Sequence, residues 1–220
     1  MIQRVYEQAS KSSSLQSVIV ATDDERIQKH VIDFGGKVCM TSAEHPSGTD
    51  RCAEVVSKLN LSCDAVINIQ GDEPFIDPKQ IDLVGGCFSD PKTELATLIK
   101  KIGSTEVLFN PNSPKVIVNH NDFAIYFSRH PIPYMRGVAE ADWLSRHTFY
   151  QHIGIYGYRV SALKKITQLK PSSLEKAESL EQLRWIEHGF SIKTAITTHE
   201  TIAIDTPEDL ENILKKFPSL

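Results

Sequence analysis

SVIVATDDERIQKHVIDFGGKVCMTSAEHPSGTDRCAEVVSKLNLSCDAVINI, residues Ser17 to Ile69, holds three short β-branched runs separated by two segments of helical period. Ser17-Val-Ile-Val-Ala21 ends at Asp23-Asp24, which can cap a helix carrying Ile27, Val31, Ile32 and Phe34 to a Gly35-Gly36 stop. Lys37-Val-Cys-Met40 is the second run. After the loop Thr41 to Gly48, a helix with Cys52, Ala53, Val55, Val56 and Leu59 on its inner side leads to the third, Ala65-Val-Ile-Asn-Ile69. Strand, helix, strand, helix, strand is the pattern of right-handed crossovers onto a parallel sheet with helices on both faces, so the expectation is a Rossmann-like α/β fold.

Working outward, Met1 to about Lys11 reads as a helix with Ile2, Val5, Tyr6 and Ala9 on one side. No strand precedes it. In doubly wound sheets the ligand sits beside the first strand, so that strand and its loop are expected to be missing here. The second half changes character. Lys115-Val-Ile-Val-Asn119 and Phe123-Ala-Ile-Tyr-Phe127, separated by His120-Asn-Asp, predict an antiparallel hairpin, and Tyr150 to Arg159 predicts a further strand. Ser172 and Glu175 form a capping box opening a helix that runs to Gly189. Ile192 to Thr197 and Thr201 to Ile204 supply late strands, and Thr206-Pro-Glu-Asp starts a last helix.

The 220 residues suffice for one core, which makes a single domain the default. With 24 basic against 28 acidic side chains the formal net charge is −4, which leaves no positive field for gripping nucleic acid or an anionic membrane. No apolar run reaches the roughly 20 residues of a membrane span, and MIQRVYEQASKSSS lacks the apolar stretch of a secretory signal, so a cytosolic protein is expected. The four cysteines, Cys39, Cys52, Cys63 and Cys87, form no C-x-x-C pair and read as free, buried thiols.

Gln70-Gly-Asp-Glu-Pro74 directly follows the third apolar run, which places Asp72 at the edge where open α/β sheets bind ligands. A carboxylate there suits Mg²⁺ shared with a nucleotide phosphate; a turn in which Asp72 bonds nearby N–H groups fits the same residues equally well. Asp205 ends Ile202-Ala-Ile-Asp205 in a similar position, and becomes a metal ligand only if the two strands lie close together. Ser47-Gly48-Thr-Asp-Arg51 opens a helix, so its N–H groups offer a positive pole to an anion and Arg51 a forked contact, although a plain capped helix explains it as well. In His152-Ile-Gly-Ile-Tyr-Gly-Tyr-Arg159, period two puts His152, Gly154, Tyr156 and Tyr158 on one face, which reads as a pocket wall in which two polar rings frame a glycine, the alternative being an edge strand with exposed aromatics.

Taken in order, Val20-Ala-Thr-Asp-Asp24, Ser47-Gly-Thr-Asp-Arg51, Gln70-Gly-Asp-Glu-Pro74, Phe109-Asn-Pro111, Tyr126-Phe-Ser-Arg129, the His152 to Arg159 block, Leu180-Glu-Gln-Leu-Arg184 and Asp205-Thr-Pro-Glu-Asp209 resemble the 3-deoxy-manno-octulosonate cytidylyltransferases over essentially the whole chain. The resemblance implies a nucleotide-diphospho-sugar transferase fold with a mixed, mainly parallel sheet in one domain, 1–220. Its half 1–110 would hold the nucleotide, without its first strand; 111–220 would be a smaller, partly antiparallel half for the sugar and dimerisation. It implies a cytosolic, Mg²⁺-dependent homodimer that joins CTP and 3-deoxy-D-manno-octulosonate (Kdo) into CMP-Kdo and diphosphate for lipopolysaccharide synthesis. Carried over by position, Asp72 and Asp205 are the catalytic, metal-binding aspartates, and Ser47, Gly48, Arg51 and Gln70 flank the nucleotide. Arg129, His152, Tyr156, Glu181 and Gln182 hold the sugar acid, Glu181 and Gln182 on the resemblance alone. The His152 block and Leu180-Glu-Gln-Leu favour Kdo over sialic acid as the sugar. The family also carries, ahead of the point matching Met1, a strand and a Ser-, Arg-, Gly- and Lys-bearing loop around the triphosphate; without them the chain as written is expected to be inactive.

Overall fold

A computed structural model describes residues 1–199 of the chain. Helix α1 (Ile2–Ala9) leads to β1 (Val20–Thr22), α2 (Glu25–Asp33), β2 (Val38–Met40), α3 (Gly48–Lys58) and β3 (Ala65–Asn68), and then to α4 (Pro78–Gly86), β4 (Leu95–Lys101) and α5 (Thr105–Phe109). The second half adds β5 (Lys115–Val118), β6 (Ala124–Ser128), α6 (Trp143–Arg146), β7 (Tyr150–Arg159), α7 (Val160–Ile166), α8 (Ser173–Glu178), α9 (Gln182–Glu187) and β8 (Ile192–Ile196). The expected strand from Thr201 and the helix from Thr206 lie outside the described residues.

Local chemistry sets the helix ends. Asp24 caps α2 by accepting from the Arg26 N–H, and Gly35, at φ 78°, ends the turn after it in a left-handed conformation that glycine adopts without strain. Ser47 caps α3 through the Asp50 N–H. The box of Ser172 and Glu175 opens α8 as expected, but the single helix expected to run on to Gly189 is broken. Ser179 sits at φ 50°, and α9 restarts at Gln182. No glycine or proline marks this break; the acceptors that Arg129 finds there, described below, hold it.

The sheet is mixed. β1 pairs with β2 and β4 with β8 in parallel, whereas β7 runs antiparallel to β3, β4 and β5, and the hairpin of β5 and β6 forms as expected. β7 is central rather than an edge. Asn68, Tyr156, Thr97 and Thr194 consequently share one row across β3, β7, β4 and β8.

Helices cover both faces, as the alternating pattern implies. One face buries Leu95, Tyr158 and Trp185 with Val56 of α3, Ala162 and Leu163 of α7 and Leu183 of α9. The other packs Leu98, Ile153 and Ile155 against Ile81 and Val84 of α4 and Ala9 of α1. Leu59, expected on the inner side of α3, is instead 44% exposed, because the helix has ended at Lys58 and turns its last residue outward. A third cluster of Ile102, Leu108, Trp143 and Phe149 anchors the smaller half. The four cysteines are free as expected, but only Cys39 is buried; Cys52, Cys63 and Cys87 are half-buried.

Gly157 shows how tightly β7 is seated: a Cβ there would come within 2.5 Å of Phe88 and 2.8 Å of Val84. Gly157→Ala is expected to destabilise the fold by about 1–3 kcal/mol, since a close-packed interior must move to admit the methyl. Urea denaturation measures this, and an unchanged midpoint would contradict the packing of α4 on β7.

Candidate active site

Two strands share one edge of β7. β3 pairs with residues 156 to 159 and β5 with residues 150 and 151, so the edge between them has no strand partner apart from the His152 N–H, which donates to Pro114 O at 2.8 Å. The notch holds Gly154. It is exposed, and a Cβ built on it meets nothing within 4 Å. Opposite, β4 slips its register between Thr97 and Leu98: Thr97 faces Tyr156 while Leu98 faces Ile153, leaving Gly154 and Ile155 as a bulge in β7. The expected alternation survives because the bulge adds two residues. His152 and Tyr156 stand together with ring centroids 5.1 Å apart, and Tyr156 stacks on Tyr158 at 6.2 Å.

Thr97 locks this bulge. Its hydroxyl lies 2.8 Å from Ile155 O, 3.2 Å from Ile153 O and 2.9 Å from His152 Nε2. A hydroxyl has one proton, and the carbonyls can only accept, so His152 Nε2–H donates to Thr97 and Nδ1 is left as an acceptor. Desolvation of the ring, which also meets Phe127 edge-on at 5.1 Å, lowers the His152 pKa to about 3. His152 is therefore a neutral imidazole at physiological pH, a hydrogen-bonding group rather than a cation.

The start of α3 meets α9 across the same face. Buried Thr49 donates from Oγ1 to Glu181 Oε2 at 2.9 Å and stands 3.2 Å from the Tyr158 hydroxyl. Gly48 lets Asn68 in: a Cβ at Gly48 would lie 3.1 Å from Asn68 Nδ2. Burial pushes the Glu181 carboxyl up, opposed by the hydrogen bond from Thr49. It pushes the Cys52 thiol, with Glu181 beside it, up to about 12, so this cysteine is an inert neighbour rather than a nucleophile. Three buried polar atoms gather nearby without hydrogen-bond partners among the described residues: Tyr156 Oη, Gln182 Nε2 and Trp185 Nε1. Trp185 packs edge-on against both tyrosines at 5.1 and 5.8 Å. A cavity of about 340 Å³ opens between Pro46 and Ser47 on one side and Ser179, Glu181 and Arg184 on the other.

Ser47, Gly48, His152, Tyr156, Glu181 and Gln182 are thus brought together by α3, β7 and α9. Gln70 is exposed and Asp72 half-buried in the loop after β3, at the carboxyl end of that strand. Arg51 lies half-buried behind α3, donating to Thr41 Oγ1 at 2.5 Å and facing Asp23 at 3.5 Å. Arg129 is engaged with backbone. Its guanidinium donates to Glu178 O at 2.7 Å, Pro111 O at 3.0 Å and Ser179 O at 3.2 Å, holding the break between α8 and α9. Asp205 lies outside the described residues, although His199 Nδ1, at the end of the described chain, contacts Asp77 Oδ2 at 2.9 Å. Sequence reasoning missed Thr49, Asn68, Thr97 and Trp185. The one available signal was a threonine inside the apolar run Leu95-Ala-Thr-Leu-Ile99, where a hydroxyl needs a partner once buried.

A family model described as Cytidylyltransferase matches residues 1–202. The 3-deoxy-manno-octulosonate cytidylyltransferase of Cytophaga hutchinsonii is 61% identical over 211 residues, 96% of this chain and 84% of that protein. The enzyme of the same name from Parabacteroides distasonis is 57% identical over 218 residues, 97% of this chain and 86% of that one. Among solved structures, CMP:2-keto-3-deoxy-manno-octonic acid synthetase complexed with CTP superposes with a TM-score of 0.89 at 42% identity, covering 99% of this chain and 87% of its own.

The environment of Glu181 has a measurable cost to the fold. A carboxyl whose folded pKa is raised binds its proton more tightly in the native state, so its penalty is absent below the ordinary glutamate pKa of 4.5 and is fully present once the pH exceeds the raised value. Glu181→Gln is therefore expected to raise the thermal midpoint at pH 7 to 8, with the gain shrinking as the pH falls towards 4.5. Thermal scans of both proteins across that range check it; a gain that grows towards acid would contradict the burial of the charge.

Proposed function

The chain belongs to the cytidylyltransferase family, and from that premise we propose how its residues divide the work of the reaction. It is a nucleotidyltransferase that joins CTP to Kdo, giving CMP-Kdo and diphosphate. One observation carries the assignment of roles: the notch at Gly154 and the capped start of α3 open on the same face, so a sugar and a nucleotide phosphate can be held side by side.

The anomeric hydroxyl of Kdo attacks the α-phosphorus of CTP and diphosphate leaves, so the task is alignment and charge balance rather than covalent catalysis. Ser47, Gly48, Arg51 and Gln70 flank the nucleotide. The N–H groups that begin α3 supply donors for an anion, and Arg51, steadied by Thr41 and Asp23, adds positive charge behind them. On the sugar side Glu181 accepts from hydroxyls, neutral His152 offers Nδ1, and Tyr156 Oη and Gln182 Nε2 are buried donors that a polyhydroxylated acid would satisfy. Arg129 serves this side through the backbone it holds, shaping the entry to α9.

Asp72 is a half-buried hard oxygen donor on the loop beyond β3, which suits Mg²⁺, an ion that takes one or two protein carboxylates and fills its remaining positions with phosphate oxygens and water. Asp72, with Asp205, would hold it. Bound there, Mg²⁺ supplies charge neutralisation for the phosphates. The same reading has the chain acting as a cytosolic homodimer through its half 111–220. Ile125 and Tyr134, large apolar residues 52% and 73% exposed in that half, support it.

Diphosphate release by the intact enzyme with CTP and either Kdo or sialic acid tests the substrate: Kdo is expected to be used, and preference for sialic acid would overturn the assignment. Asp72→Asn should lower turnover by on the order of 100- to 1,000-fold while leaving the thermal midpoint in place, because the isostere packs alike but loses the charge. Near-normal turnover at saturating Mg²⁺ would refute the metal role. Gly154→Ala has room in the free protein, so the fold should tolerate it while the KM for Kdo rises roughly 10-fold or more and that for CTP stays put. An unchanged KM for Kdo would remove the sugar from the notch.

A further inference from the structure

Thr49 is 2% exposed, which hides it from both substrates, yet its hydroxyl is the only group on α3 that an observed hydrogen bond ties to Glu181, the residue just before α9, among the described residues. The proton count fixes the direction of the chain through it. An ionised Glu181 can only accept, so Thr49 spends its single proton on Oε2 and must receive from Tyr158. Tyr158, Thr49 and Glu181 form a one-way relay from β7, through the start of α3, to the sugar side. We propose that Thr49, backed by Tyr158, is a positioning residue: it holds the Glu181 carboxylate in the orientation and ionisation state in which it receives a hydroxyl of the sugar acid.

This rests on the placement of Glu181 on the sugar side argued above. Two further facts favour a positioning role over mere packing. Every donor in the relay points towards the carboxylate, which favours its charged form against the desolvation that opposes it. The other groups around Glu181 include Ser47 and Asp50 at the start of α3, Cys52 within it, Tyr156 of β7, Arg184 of α9, and Glu175 and Lys176 of α8, which line the same cavity. Arg184 is engaged elsewhere, donating from Nε and Nη2 to Glu175 at 2.7 and 2.5 Å, so it cannot stand in for the Thr49 hydroxyl without giving up that pair.

Thr49→Val removes the hydroxyl and keeps the shape; Thr49→Ser keeps the hydroxyl. In steady-state assays of the enzyme from pH 5 to 9, Thr49→Val is expected to raise the KM for Kdo about tenfold, as the loss of a hydrogen bond to a charged group would. The KM for CTP should change little. The pH below which activity falls should move upward, because burial of Glu181 is then less opposed, and Thr49→Ser should restore both properties. Thermal scans and circular dichroism of each variant separate a folding defect from a positioning one. In the Glu181→Gln background, Thr49→Val should add little further. If Glu181→Gln raises the KM for Kdo while Thr49→Val leaves the KM and the acid limb unchanged, the relay has no positioning role and the proposal fails alone. If Glu181→Gln leaves the KM for Kdo unchanged, Glu181 is not on the sugar side and the proposal falls with that placement.

Discussion

The arrangement of the whole site depends on the hydroxyl of Thr97. β7 must serve β3 and β5 along one edge and β4 along the other, and the two edges do not keep the same register. The mismatch is absorbed in a bulge at Gly154 and Ile155, whose neighbouring carbonyls would lose ladder partners. Thr97 sits where Ile155 O and Ile153 O can both be reached, and it takes the proton of His152 on its other side. Buried carbonyls left unpaired would be costly, so one hydroxyl makes an irregular strand tolerable and sets the histidine tautomer at the same time.

The notch follows from that irregularity. Open α/β sheets bind ligands where strand order leaves a crevice at the carboxyl ends. Here the crevice lies between the end of β3 and the start of β5, floored by a glycine and walled by His152, Tyr156 and, through α9, Glu181 and Gln182. The opposing face of β7 is sealed by α4, against which Gly157 has no room for a methyl, so the two glycines of the strand do opposite jobs. Gly154 leaves space for a ligand, and Gly157 lets a helix approach.

Much of this was legible in the sequence. The period-two face of β7, the hairpin at His120, the caps at Asp24, Ser47 and Ser172, and the free cysteines all follow from local chemistry, and the structure carries them. The break at Ser179 was not legible because Leu174 to Leu183 contains neither glycine nor proline, and the hydrogen bonds that hold it come from Arg129, fifty residues earlier in the chain. The bulge was hidden for a similar reason. Two extra residues preserve the alternation, so His152 and Tyr156 stay on one face whether or not it exists. Thr49 carries no pattern of its own; it joins the site only through partners more than 100 residues away. Non-local pairing of that kind leaves no mark on composition or period.

If the sugar acid sits in the notch at Gly154 while the nucleotide phosphates lie against the start of α3, a crystal structure with CTP, Mg²⁺ and an unreactive Kdo analogue lacking the anomeric hydroxyl will show it. The analogue is expected to lie over Gly154, with its polar groups within hydrogen-bond reach of Glu181, Tyr156 and Gln182 and its anomeric carbon turned towards the α-phosphate. An analogue bound away from β7, with the notch filled only by solvent, would contradict it.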